Sequence, residues 1–164
     1  MNKPITSNLL DITELPDELS PVLSYWRELT PAGTIGPQRQ DFELIKIPGK
    51  FLPYAILTYL GDAPEKYRYR YWGSRLADIF HKDHTGDYFA DLPDRFRDFS
   101  ISTYSHIAQS AAPAFYELVV SDDADKARFQ KALRLPLSED GITVTHVFSI
   151  LLFPWLFEKE TVAA

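Results

Sequence analysis

With 164 residues, of which 45% are hydrophobic and 24% charged, the chain has the size and composition of one globular domain and not those of a disordered polymer. A net charge of −6 opposes sequence-independent nucleic-acid binding, and the absence of cysteine excludes disulfides, thiolate metal sites, cysteine nucleophiles and chromophore–thiol adducts. Met1–Asn8 lacks the basic start and apolar run of a signal peptide, and Val147–Phe157 is too short to span a bilayer, so a cytoplasmic protein without membrane or nucleic-acid partners is expected.

The first helix begins at Ser20-Pro21, an N-cap residue followed by proline. Leu19, Val22, Leu23, Trp26 and Leu29 follow helical spacing, and Thr30-Pro31-Ala32-Gly33 ends the run. Pro37–Pro53 reads as an apolar cover with a short helical turn. Tyr54–Leu60 reads as a buried strand, Gly61–Pro64 as a turn, and Tyr67–Trp72 as an alternating strand. That alternation places Tyr67, Tyr69 and Tyr71 on one face and Arg68, Arg70 and Trp72 on the other. With Lys66 and Arg75, the two arginines make a small basic patch.

A short helix is expected after Gly73-Ser74, burying Leu76, Ile79 and Phe80, followed by the polar turn His81–Gly86 and a short helical turn within Asp87–Leu92. A longer helix over about Asp94–Ala111 sets Phe96, Phe99, Thr103, Ile107 and Ala111 on one side, and Pro113 stops it. Three strands close the pattern: Ala114–Val120, Arg128–Leu137 (with Phe129, Leu133, Leu135 and Leu137 on one face) and Ile142–Phe153. Ser138-Glu139-Asp140-Gly141 is the hairpin turn between the last two. Five antiparallel strands with helices packed on one face and an additional N-terminal helix define an α+β class. One domain over 1–164 is expected: an N-terminal extension and helix to about 36, a core to about 153 and a short tail over 154–164.

Four stretches resemble a PAS domain, and within that family the stand-alone bacterial proteins with a tryptophan-bearing leading helix. They are Tyr25-Trp26-Arg27, Pro37–Phe42, Tyr69–Leu76 with Thr85-Gly86 downstream, and Leu135–Gly141. The resemblance spans about residues 19–153. It implies a five-stranded antiparallel sheet, a pocket between its inner face and the longer helix, and a role as ligand sensor, dimerisation module or docking module. No kinase, cyclase or DNA-binding region follows, so signalling through a separate output protein is expected. PAS domains that bind haem ligate it from a histidine on the longer helix, which makes His106 the haem candidate. No other cofactor is implied.

The expected ligand-binding residues are Leu57, Tyr59, Tyr69, Tyr71, Phe99, Thr103, His106 and His146. The tyrosine face supplies rings with hydroxyl handles for an apolar cavity, or else fills the core. His146, on the face of Val144, Phe148 and Ile150, suits either a polar ligand contact or a hydrogen-bonded core position. Val22, Leu23 and Trp26 form the expected homodimer interface, the alternative being a cover over the chain's own sheet. His81-Lys82-Asp83-His84 with Asp87 and His106 suits either a divalent metal or a solvated turn, and no metal is assigned. There is no serine-nucleophile motif, phosphate loop or carboxylate pair, so no catalytic residue is assigned. The rivals to a sensor are a small lyase or isomerase with a His or carboxylate base, and a ligand-free scaffold with a filled core.

Overall fold

In a computed structural model, residues 5–121 and 127–157 are described. Residues 1–4 and 158–164 lie outside the described residues, and with them part of the segment read for a signal peptide and most of the expected tail; the side chain of Phe129 does too. The described strands are β1 (Ile5–Leu10), β2 (Ala55–Tyr59), β3 (Arg68–Trp72), β4 (Ala114–Ser121), β5 (Ala127–Leu137) and β6 (His146–Leu152). They form one antiparallel sheet in the order β1-β4-β5-β6-β2-β3. The helices are α1 (Ser20–Leu29), α2 (Ser74–Phe80) and α3 (Asp94–Ser110), with several single 3-10 turns between elements.

The α+β class is the expected one, and β2–β6 with α3 make the five-stranded sheet and longer helix that the PAS resemblance implies. The sixth strand, β1, adds to the edge of β4 in the register Ile5↔Val120 to Leu10↔Phe115. α3 starts after Pro93 and stops at Ala111, which adopts a left-handed backbone with φ of 51° two residues before Pro113. Among the described residues no helix is long and apolar enough to cross a membrane.

Both sides of the central strands are covered. Paired residues share a side, so Leu133, Leu135 and Leu137 point the same way as Ile150, Phe148 and His146. α1 covers this side: Trp26 Nε1 donates to the Pro136 carbonyl at 2.7 Å, and the ring of Phe42 lies 5.0 Å from that of Phe148. The alternate residues, Arg134, Ser149 and Leu151, face α3, whose Tyr104 hydroxyl is 3.4 Å from Ser149 Oγ. Continuous apolar runs such as that of β6 are what a strand buried on both sides requires.

Two expectations are corrected here. Val22, Leu23 and Trp26, expected at a homodimer interface, are buried in the chain's own core at 1%, 7% and 7% exposure, so α1 has no free apolar stripe to offer a second copy. The expected three-tyrosine face is broken by a bulge in β3: Leu57 pairs with Tyr71 but Thr58 pairs with Tyr69, leaving Arg70 as the extra residue. The bulge turns Tyr69 and Trp72 to the α3 side, with ring centroids 5.0 Å apart, and sends Tyr71 to the α1 side beside Leu57.

The β5–β6 connection is tied by Asp140, whose Oδ1 accepts from the amides of Thr143 (2.7 Å) and Ile142 (2.9 Å) and from Ser138 Oγ (3.1 Å). Those amides, Thr143 first, hold the carboxyl down at about 2 against an ordinary 3.8. A carboxyl depressed on folding contributes stability that is complete above its unfolded value and fades as pH falls from 3.8 towards 2. Asp140→Asn is therefore expected to flatten the acid limb of stability in that window. Urea midpoints measured down the pH scale check this, and an unaltered limb would assign it to other carboxylates.

Candidate functional site

On α3 the residues Phe96, Ser100 and Tyr104 recur every fourth position and so line one face, with the smallest side chain between two rings. Over Ser100 the helix does not fill the space above the sheet. A cavity of about 350 Å³ remains there, floored by Ile56 of β2, Tyr69 and Trp72 of β3, and Leu118 of β4. Gln130 and Arg134 of β5 and Leu151 of β6 complete the floor. Phe96, Phe99, Ser100 and Tyr104 roof it, and Phe80, Lys82, His84, Leu92 and Pro93 form its mouth.

Most of this lining is aromatic or aliphatic, and its rings interlock. Tyr69 lies 4.5 Å from Phe89, and Trp72 is 4.7 Å from His84. The Tyr69 hydroxyl meets Ser100, and burial, with Tyr104 next to it, pushes that phenol well above its ordinary value, so it stays protonated. At the mouth, Asp87 Oδ2 takes Lys82 Nζ at 2.9 Å and His84 Nδ1 at 3.0 Å. The Lys82 ammonium, with His84 behind it, holds the Asp87 carboxyl below its usual range.

Arg134 brings a full charge into this floor. It is 4% exposed, and its Nε and Nη1 are buried with no hydrogen-bond partner among the described residues. Its guanidinium carbon lies 4.2 Å from the ring centroid of Tyr104 and 5.3 Å from that of Tyr116. The indole Nε1 of Trp72 is likewise buried and unpartnered.

Of the residues expected to bind ligand, Tyr69 and Phe99 line this cavity. Leu57, Tyr59, Tyr71 and His146 lie on the α1 side of the sheet: Leu57 pairs with Phe148, and the Tyr59 ring lies tilted 5.2 Å from that of His146. The Tyr71 hydroxyl donates to the Leu52 carbonyl at 3.2 Å, and burial lowers the His146 imidazole. Thr103 lines a separate, more open cleft between β1 and α3, shared with Asp94 and Asp98. His106 is exposed, clear of the cavity, with Nδ1 2.7 Å from the Tyr116 hydroxyl. The helix-borne ligand that haem requires in the PAS resemblance is thus not provided, and haem does not fit these residues. Of the set His81, Asp83, His84, Asp87 and His106, His84 and Asp87 pair at 3.0 Å, whereas His106 lies against Tyr116. Among the described residues no three His, Asp or Glu side chains gather as a metal site.

Arg134, Tyr104, Trp72 and Ser100 were not singled out by sequence reasoning. The available signal was a lone arginine inside the apolar run Ala132–Leu137, with Trp72 one residue past a bulge that alternation does not reveal.

No protein-family model matches the chain, and no curated protein matches it. Among solved structures the chain is similar to one described as an RNA-binding Light-Oxygen-Voltage receptor, at 12% identity and a TM-score of 0.39. The match covers 93% of this chain and 39% of that one, so the chain spans about two fifths of that receptor's length.

Proposed function

We propose that the chain is a non-catalytic sensory module of the PAS type, which takes a small aromatic or apolar ligand between α3 and the sheet and signals to a separate protein. The observation that carries this reading is the aromatic-lined cavity of about 350 Å³, which falls within the range of about 300–1,000 Å³ usual for small-molecule sites. The mouth, formed by Phe80, Lys82, His84, Leu92 and Pro93, offers an entry that a filled scaffold core would not need.

The test is titration of 2-naphthamide, a neutral bicyclic probe, followed by thermal shift and native mass spectrometry. At about a hundredfold excess over Kd, binding adds about 2.7 kcal/mol. For a chain of this size that raises Tm by about 5–10 °C. Phe99→Trp, which adds volume to the roof, is expected to weaken the probe by about tenfold or more. Tyr71→Phe, on the far side of the sheet, is expected to leave it unchanged. Absence of binding, or equal effects of the two substitutions, would remove the cavity as the sensory site.

A further inference from the structure

Two residues that line the cavity carry buried donors with no partner among the described residues: Nε and Nη1 of Arg134 and Nε1 of Trp72. Among the described residues no carboxylate forms an ion pair with Arg134, and Asp87, which meets the lining residues Lys82 and His84, is engaged by both. The guanidinium does rest on Tyr104 at 4.2 Å, but a ring face satisfies charge and not N–H donors. Arginine does not lose its proton in a protein, so burial cannot be relieved by neutralising it. A buried cation persists in a fold when something pairs with it.

From this we infer that the physiological ligand is a small monoanion with a planar aromatic body, a monocarboxylate, whose carboxylate pairs with Arg134 while its ring lies among Tyr69, Trp72, Phe99 and Tyr104. This deepens the proposed function and rests on the same cavity. One fixed positive charge in the floor matches one negative charge. The mouth lysine already pairs with Asp87, so a dianion such as a phosphate monoester would leave a charge uncompensated. The guanidinium fork suits the two coplanar oxygens of a carboxylate. Tyr69 is a neutral phenol, and its burial raises it further, so it adds no competing negative charge.

The experiment compares 2-naphthoate with 2-naphthamide, equal in shape and differing in charge, by isothermal titration calorimetry on the wild-type chain and on Arg134→Gln. In the wild type the acid is expected to bind at least about tenfold more tightly than the amide, the margin of a charge-assisted pair over a neutral one. In Arg134→Gln that preference is expected to vanish while the amide keeps its affinity within about twofold. The wild-type comparison needs no variant to fold. Equal binding of acid and amide to the wild type overturns the monoanion and leaves the cavity reading standing. A preference for the acid that survives Arg134→Gln overturns the role of Arg134. Binding of neither probe overturns both readings together.

Discussion

Trp26→Ala is expected to lower the unfolding free energy by about 3–5 kcal/mol and to leave the mass of the protein in solution as it is in the wild type. The side chain is 7% exposed, its indole donates to the Pro136 carbonyl at 2.7 Å, and it sits at the centre of the face that α1 turns to the sheet. The neighbourhood has little slack. A Cβ built at Gly36 would lie 2.4 Å from the Pro136 carbonyl oxygen and 3.5 Å from Trp26 Cζ2, so backbone and ring are packed against one another there. Truncation therefore leaves a void that the flanking chain cannot close, together with a buried carbonyl lacking its donor. Because a domain is stable by only about 5–15 kcal/mol, a loss of this size removes a large share of the total. Trp26→Phe separates the two contributions: it keeps most of the volume and is expected to lose about 1 kcal/mol through the hydrogen bond. Urea unfolding with light scattering on the same samples checks both halves. A fall in mass with little loss of stability would return Val22, Leu23 and Trp26 to an interface between copies.

The pattern of α1 was legible from its spacing, but the choice between a partner and the chain's own sheet was not. A narrow apolar stripe satisfies either, and only the position of Pro136 beneath it decides. The five strands from β2 to β6 were readable because their runs are rich in β-formers and bounded by turns. β1 was not, since Thr6, Ser7 and Asn8 carry no apolar alternation and the strand is held by pairing with β4 at the sheet's edge. Half of the candidate site was lost to the bulge at Arg70. Strict alternation groups Tyr69 with Tyr71, whereas the extra residue groups Tyr69 with Trp72. The rest was lost to the covering of both sheet faces. An arginine alternating with Leu133 and Leu135 reads as the solvent side of a sheet covered on one face, and α3 lies over that side instead.

That burial yields the second large effect, of opposite sign. Arg134→Met is expected to raise the stability of the ligand-free protein by about 1–3 kcal/mol, because it replaces a buried, unpartnered cation with an apolar chain of similar length. The opposing contribution is the attraction of the guanidinium to Tyr104 and Tyr116, at 4.2 and 5.3 Å, which is worth about 2 kcal/mol when desolvated. Against it stand the desolvation of a full charge and two buried N–H groups with no acceptor, each missing hydrogen bond costing about 1–3 kcal/mol. The unfavourable side is larger, so methionine, which retains packing against the same rings, gains. At about 2–4 °C per kcal/mol, Tm rises by several degrees in differential scanning calorimetry without ligand. The sign is what matters. A residue held at a cost to the fold suits a group that pairs with something that arrives later, and the balance shifts when the anion is added: 2-naphthoate should stabilise the wild type more than the variant. A fall in Tm on Arg134→Met would mean that the stacking on Tyr104 already satisfies the arginine, making it part of the core and leaving the cavity floor neutral in function.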